Sequence, residues 1–410
     1  MRFRRTRIES VAPSVVRALG ARVGWLVESP EVLRCGFGGT VYEVPLPEGL
    51  DEDGPVDLGA ELEGDDGPAG SGVIGFAALP FDRSAEAKLS VPRFVLTLDR
   101  DGGAWITERV GSPDWRPLLD EVAPPRQEPL TLRSVTYDPA PEEYAHQVAI
   151  AVERLRRGDL AKVVLARSVS GTTTDPIDPA ALAARLRGRE PYCTIYALPT
   201  LDGRRFVGAS PELLVRRTGS EVLCHPLAGT IALPPNVAPD DYETWLLGST
   251  KNLHEHAILV DDIVSALEPA YHDVHADATP SIVTLRTVAH LGTWITASSP
   301  VSGTAPDAIS LLRRLHPTAA VGGLPRATAL SLISALEGRS RGHYAGPVGW
   351  VDDAGDGEWW IGIRGVQIRE RAFEAWAGAG IVSESDPIAE REETRDKLAS
   401  VLSALLVDRI

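Results

Sequence analysis

Lysine is scarce in this chain. Of 41 basic residues only four are lysines, Lys88, Lys162, Lys251 and Lys397, and the other 37 are arginines. Arginine thus supplies general positive charge, and the few lysines stand out as candidates for work arginine cannot do: a buried ammonium can lose its proton and act as a base. Cysteine is also rare. Cys35, Cys193 and Cys224 are odd in number, far apart and without a CxxC pair; this excludes a disulfide framework and points to a reducing, cytoplasmic setting. No run of about 18 apolar residues exists to cross a bilayer. The basic start MRFRRTRIES is followed by an apolar stretch broken by Arg17 and Arg22, a poor signal peptide. Basic residues are outnumbered by 57 acidic ones, and the formal net charge of -16 argues against nucleic acid or an anionic membrane as partner. Eight acids with no base fall in residues 51–66, DEDGPVDLGAELEGDD, which reads as an exposed loop. This acidic surface offers no evident interface, so a monomer is expected.

A length of 410 residues, with 43% hydrophobic content, fits one large or two moderate domains. The Pro-rich segment APPRQEP (123–129) reads as a joint. It divides a strand-rich N-terminal region, 1–128, packing on the core, from a larger catalytic domain, 129–410. Before it, GVIGFAALP and RFVLTLDR read as strands of a meander. After it, EEYAHQVAIAVERLRRGD has helical spacing and stops at Gly158; KVVLARSV reads as a strand and ALAARLRG as a short helix. The runs CTIYALP, RRFVGASPELLVRR and EVLCHPLAGTIALP read as neighbouring strands, followed by one long helix from Asp241 to Leu267. Further strands are expected around IVTLRTVAHLGTWITA, GPVGWVDD, EWWIGIRGVQIRE and AFEAWAGAGIV, with a final helix from Asp386 to the end. Consecutive strands with separate helices predict an α+β fold.

Three places could hold chemistry. In GAGIVSESDPIAEREETRDKL, residues 383–397 pack six carboxylates and three cations. Asp386 and Pro387 suit the N-cap and first helical position. With the helix phased from there, Glu390, Glu393 and Lys397 fall along one border of a stripe formed by Leu398, Val401, Leu402 and Leu405, while Glu392 and Asp396 point away. The bland reading is a solvated first turn that suits the helix dipole; the preceding Gly-Ala-Gly, which lets bare N–H groups approach an anion, weakens it. In KNLHEHAILVDDIV, the HEH spacing does not put two imidazoles on one face, so zinc is disfavoured. Glu255 instead phases with Leu259 and Asp262, and an inward carboxylate needs a partner; magnesium suits it better. Lys162 opens a strand in which it shares a face with Val164 and Ala166, an unusual place for a solvated lysine. Glu212 heads an apolar run after a Gly-Ala-Ser-Pro turn, and Gly229 with Thr230 offers a backbone-plus-hydroxyl anchor. GSTKN has its lysine misplaced for a Walker loop, no GxGxxG opens a helix, and no GxSxG elbow exists.

Taken together these pieces resemble the chorismate-utilising enzymes, and within them the isochorismate synthases. The resemblance rests on KVVLARS (162–168), FVGASPELLVRR (206–217), HPLAGT (225–230), KNLHEH (251–256), AHLGT (289–293), LHPTAAVGG (315–323), YAGPVGW (344–350), IGIRG (361–365) and AGAGIVSESDPIAEREETRDKL (377–398). These motifs occur in the family's order between about Glu142 and Leu402; the region before Pro129 matches only loosely. The resemblance implies two facing, mostly antiparallel sheets wrapped by helices, with the site in a deep cleft. It implies that Glu255 and Glu393 hold Mg²⁺, with Glu390 outside them. Gly229, Thr230, Arg364, Gly378, Gly380 and Lys397 would hold the two carboxylates of chorismate, Ala320 would line the cleft, and His290 would lie beside the ring. Lys162 would be the base that activates water at C2, and Glu212 the acid that expels the C4 hydroxyl to give isochorismate. Water rather than ammonia as nucleophile is favoured by the presence of Lys162 and by Ala228 where aminodeoxychorismate synthases carry a lysine. A salicylate synthase, which goes on to eliminate pyruvate, shares the same base and acid and is the main alternative. Anthranilate or aminodeoxychorismate synthase, or a chorismate-binding protein without catalysis, ranks below it. Menaquinone and siderophore pathways are both open to such a product.

Overall fold

The computed structural model describes residues 1–46, 55–126, 130–233, 239–301 and 305–405. Residues 51–54 of the acidic run, residues 127–129 of the expected joint and residues 406–410, where the final helix was expected to continue, lie outside these.

Strand pairing is antiparallel throughout except between Arg2–Arg7 and Glu61–Gly64. One arm of the sheet runs through Leu132–Asp138, Lys162–Thr173, Ala372–Ile381, Gly365–Arg369, Arg205–Ser210, Thr194–Pro199 and Trp25–Glu28 to Val32–Leu46. A second arm runs from Ile74–Ala78 through Pro347–Asp352, Gly357–Ile361, Leu213–Thr218 and Glu221–His225 to Ile295–Pro300. The long hairpin of Val32–Leu46 with Ala87–Asp99 joins the arms, and its register shifts near Thr40 let it bend. N-terminal strands therefore pair directly with C-terminal ones: Tyr196 lies opposite Val27, and Trp350 opposite Phe76. A separate three-stranded sheet contains Leu227–Ala232, Val288–Gly292 and Ser281–Thr284.

The chain crosses between the arms twice, side by side. Arg205–Ser210 pairs with Gly365–Arg369 in the first arm, and Leu213–Thr218 pairs with Gly357–Ile361 in the second. The crossings are Pro211–Glu212 and Gly362–Arg364. They are tied by Ile361 N–H donating to Glu212 O at 3.1 Å and Ala209 N–H donating to Arg364 O at 3.1 Å. Glu212 and Arg364 thus stand where the two arms diverge.

Helices cover the outer surfaces. Pro13–Val23, Pro179–Arg189 and the C-terminal Pro387–Leu405 share one apolar cluster, and Pro141–Arg156, Thr250–Leu267, Ala308–Leu315 and Arg326–Glu337 share another. Asp386 caps the C-terminal helix by accepting the N–H groups of Ile388 (3.0 Å) and Ala389 (2.9 Å), as the sequence predicts. Two expectations are corrected. The helix expected over 241–267 is two, Pro239–Gly248 and Thr250–Leu267, because Ser249 restarts it by accepting Asn252 N–H at 3.3 Å. The acidic run 51–66, expected as a loop, includes strand Glu61–Gly64, which pairs with Arg2–Arg7; the strands expected in GVIGFAALP and RFVLTLDR are present.

Candidate active site

The C-terminal half of strand Ala372–Ile381 shapes the site. Its pairing with Gly365–Arg369 ends at Val366 opposite Ala375, so from Trp376 onward one edge has no strand beside it. That edge faces an enclosed cavity lined by Glu212, Thr230, Glu255, His290, Ala320, Arg364, Gly378, Gly380 and Lys397, together with Val164, Arg341, Tyr344 and Trp376. Nine of the thirteen expected site residues line this one space. Lys162, Gly229, Glu390 and Glu393 stand behind them, each bonded to or packed on a neighbouring residue of the site.

Glycine is needed at position 380 by space alone. A Cβ there would lie 2.0 Å from Glu255 Oε1 and 3.0 Å from Lys162 Cε. Gly380→Ala is expected to leave the fold intact and lower kcat about 100-fold, because displacing a reacting group by about 1 Å costs that much. Steady-state kinetics beside a thermal melt checks it. Gly229 is in the left-handed region, φ 65°, at an irregularity of the small sheet between Ala228 and Thr230. This turns Thr230 toward His290, whose Nδ1 lies 3.1 Å from Thr230 Oγ1.

Helix phase delivers the carboxylates. Asn252, Glu255, His256, Leu259, Ile263 and Leu267 form the buried stripe of their helix, so Glu255 faces inward with the apolar residues. In the C-terminal helix Glu390 lies within the stripe with Thr394 and Leu398, and Glu393 and Lys397 flank it half-buried. Each carboxylate leans on a lysine. Lys162 Nζ is 3.0 Å from Glu255 Oε1, Lys251 Nζ 2.6 Å from Glu390 Oε1, and Lys397 Nζ 2.6 Å from Glu393 Oε1. The Lys162 contact is an ion pair without hydrogen-bond alignment, which leaves its buried Nζ with no hydrogen-bond partner. Lys397 Nζ also donates to Gly378 O at 3.0 Å. Three of the four lysines therefore meet at one site, and Lys88 pairs with exposed Glu43 elsewhere. Lys251 was not singled out from the sequence, although the scarcity of lysine applied to it equally.

The electrostatics divide the roles. Burial pushes the Glu212 carboxyl up to about 7, against the opposing Leu227 N–H and the charges of Lys162, Lys397 and Arg364. Lys162 and Glu212 thus feel each other across the cavity, and Glu212 carries its proton near neutrality. His290 is different. Arg364 Nη2 lies 3.0 Å from its Nε2, and a guanidinium can only donate. Nε2 must accept, so the ring is neutral with its proton on Nδ1, and burial followed by the Arg364 charge holds its pKa well below the usual value. His290 is a fixed orienting group. Arg364 has a left-handed backbone, φ 51°, and its buried Nε has no partner, as expected of a cation awaiting an anion. Tyr344 and Trp376, stacked with centroids 5.8 Å apart, complete the wall and carried no signal in the sequence.

The chemistry of the donors fits a divalent cation. Burial, then the charge of Glu393, pushes the Glu390 carboxyl up to about 7 despite Lys251. Lys251 in turn feels Glu390, Glu255 and Glu393. Among the described residues no three acidic, histidine or cysteine side chains close on one point, since each acid is drawn to its lysine.

The family described as chorismate binding enzyme matches residues 89–406. The chain belongs to the chorismate-binding enzymes. A Mycobacterium tuberculosis protein named for isochorismate synthase MenF is 39% identical over 352 residues, covering 83% of this chain and 88% of that one. The Bacillus subtilis isochorismate synthase DhbC is 35% identical over 345 residues, covering 82% of this chain and 81% of that one. The solved structure of the menaquinone-specific isochorismate synthase MenF from Escherichia coli superposes with a TM-score of 0.80 over 98% of this chain and 94% of that one; at 24% identity it bears on the fold. That fold is the α+β arrangement of facing antiparallel sheets expected of a chorismate-binding enzyme. No described helix is long and apolar enough to cross a membrane.

Proposed function

We propose that this chorismate-binding enzyme is an isochorismate synthase, which adds water at C2 of chorismate and expels the C4 hydroxyl. The observation that carries the reading is that fully buried Lys162, paired with the cavity-lining Glu255, lies within electrostatic reach of Glu212, a cavity-wall carboxyl that burial pushes up to about 7. Lys162 takes a proton from the incoming water, and Glu212 gives one to the departing hydroxyl. Arg364, with its unpartnered Nε, Lys397 and the open strand edge at Gly378 and Gly380 bind the two carboxylates. Thr230, above the left-handed turn at Gly229, and neutral His290 fix the ring, with Ala320 against it. Glu255 and Glu393 would hold Mg²⁺, with Glu390 behind them, and the ion would supply positive charge to the ring carboxylate. The site residues lie within 162–397, so the region 129–410 carries the chemistry and 1–128 braces it.

Incubation of the protein with chorismate and Mg²⁺, followed by chromatography, tests the assignment. Isochorismate is expected, without the fluorescence of salicylate. Salicylate as the main product would make the enzyme a salicylate synthase, and unchanged chorismate would refute catalysis. Because Glu212 must be protonated to act as an acid and its pKa is raised, kcat/KM is expected to fall as pH rises through about 7. A profile flat from about pH 6 to 9 would remove Glu212 from that role.

A further inference from the structure

Strand Lys162–Thr173, which carries the base, has a gap in its ladder just beyond Lys162. One edge is paired along its length with Ala372–Ile381. On the other edge Leu132–Asp138 covers positions 168–173, and Gly323–Leu324 covers 162–163. Ala161 N–H reaches Leu324 O at 2.8 Å, and Val164 N–H reaches Gly322 O at 2.8 Å. Between those two strands the backbone groups at Val164 and Ala166 have no strand to pair with, and two buried side chains fill the place. Arg341 Nη2 donates to Val164 O at 2.7 Å, and Glu337 Oε1 accepts Ala166 N–H at 2.9 Å. Arg341 Nη1 also donates to Val321 O at 2.7 Å, beside Ala320 of the cavity wall. The pair is closed by Arg341 Nε to Glu337 Oε2 at 2.9 Å, and Arg341 lies over the Phe81 ring, 4.5 Å from its centroid. Arg341 is 2% exposed; Glu337 is the last residue of helix Arg326–Glu337, and Arg341 follows four residues on, past the left-handed Gly338 that ends the helix.

We infer that Glu337 and Arg341 are positioning residues, a side-chain splice that holds the Lys162 end of its strand and the Ala320 loop in catalytic register. A buried ion pair is a weak source of net stability, because desolvation offsets most of the attraction. Its role is better explained by the geometry it fixes: backbone groups of Val164, Ala166 and Val321, on two separate segments, are bonded by one guanidinium and its carboxylate, and Val164 and Val321 line the cavity. The inference rests on the role proposed above for Lys162.

Two variants separate positioning from stability. Glu337→Gln keeps an oxygen for Ala166 N–H and leaves Arg341 on its carbonyls, but strands a buried charge. It is expected to lower Tm by several degrees and keep kcat within about threefold. The double variant Glu337→Gln/Arg341→Met removes the stranded charge together with the bonds to Val164 and Val321. It is expected to melt above the single variant, yet to lose at least tenfold in kcat with KM within about threefold. A crossed order of Tm and kcat supports positioning. A double variant with kcat within threefold of the parent, or one in which kcat, KM and Tm decline together, overturns it. Should neither variant fold, hydrogen exchange of the parent decides: the Ala166 amide, which donates to Glu337, is expected to be as protected as Leu165, and rapid exchange there contradicts the splice. If Lys162→Ala is itself active, the reading of the base fails instead, a separate outcome.

Discussion

Lys162→Ala is expected to lower kcat about 10²–10⁴-fold, the range a positioned general base supplies, while the protein stays folded. Folding should survive because Glu255, which loses its ion pair, keeps the nearby charges of Lys251 and Lys397. Glu212→Gln is expected to lose as much with even less structural cost. Its amide oxygen can still accept the Leu227 N–H that the carboxylate accepts now, but an amide cannot give up a proton to a departing hydroxyl. Single-turnover assays with chorismate, beside circular dichroism, check both. Appreciable turnover by either variant would detach that residue from the chemistry.

The second large effect belongs to the metal carboxylates. Glu255→Gln and Glu393→Gln are each expected to abolish the stabilisation that Mg²⁺ gives the native enzyme, about 2.7 kcal/mol at a hundredfold excess over Kd, together with activity at ordinary Mg²⁺. Glu390→Gln should act more mildly, weakening Mg²⁺ about 10–100-fold, as loss of an outer partner does. Thermal melts against Mg²⁺ concentration read this without any turnover. Unaltered Mg²⁺ stabilisation in both Glu255→Gln and Glu393→Gln would move the ion elsewhere.

Much of this site could be read from the sequence because its residues sit on elements with strong periodicity. Glu255 phases with Leu259 and Ile263, and Glu390 with Leu398, so helical spacing alone turns them inward. Lys162 announced itself by rarity. What stayed hidden depended on contacts between distant segments. Nothing local in HPLAGTI shows that Leu227–Ala232 leaves the main sheet for a small one. The break at Ser249 had a local signal, since Gly248 and Ser249 suit a helix stop and a new N-cap, but the expectation of one long helix passed over it. Helix Pro13–Val23 follows Ala12 with no side-chain cap, so Pro13 at its first position was its one start signal. Lys251 had only its rarity as a signal, and Glu337 and Arg341 had none, because their partners lie on distant segments.

Water as the nucleophile is the claim on which the roles of Lys162 and Glu212 depend. Turnover of chorismate with Mg²⁺ in ¹⁸O-enriched water, stopped early and read by mass spectrometry, tests it directly. One solvent oxygen in each molecule of isochorismate, placed at C2, is the predicted result. Isochorismate formed without solvent oxygen would mean that the hydroxyl migrates within the ring, leaving no water for Lys162 to activate.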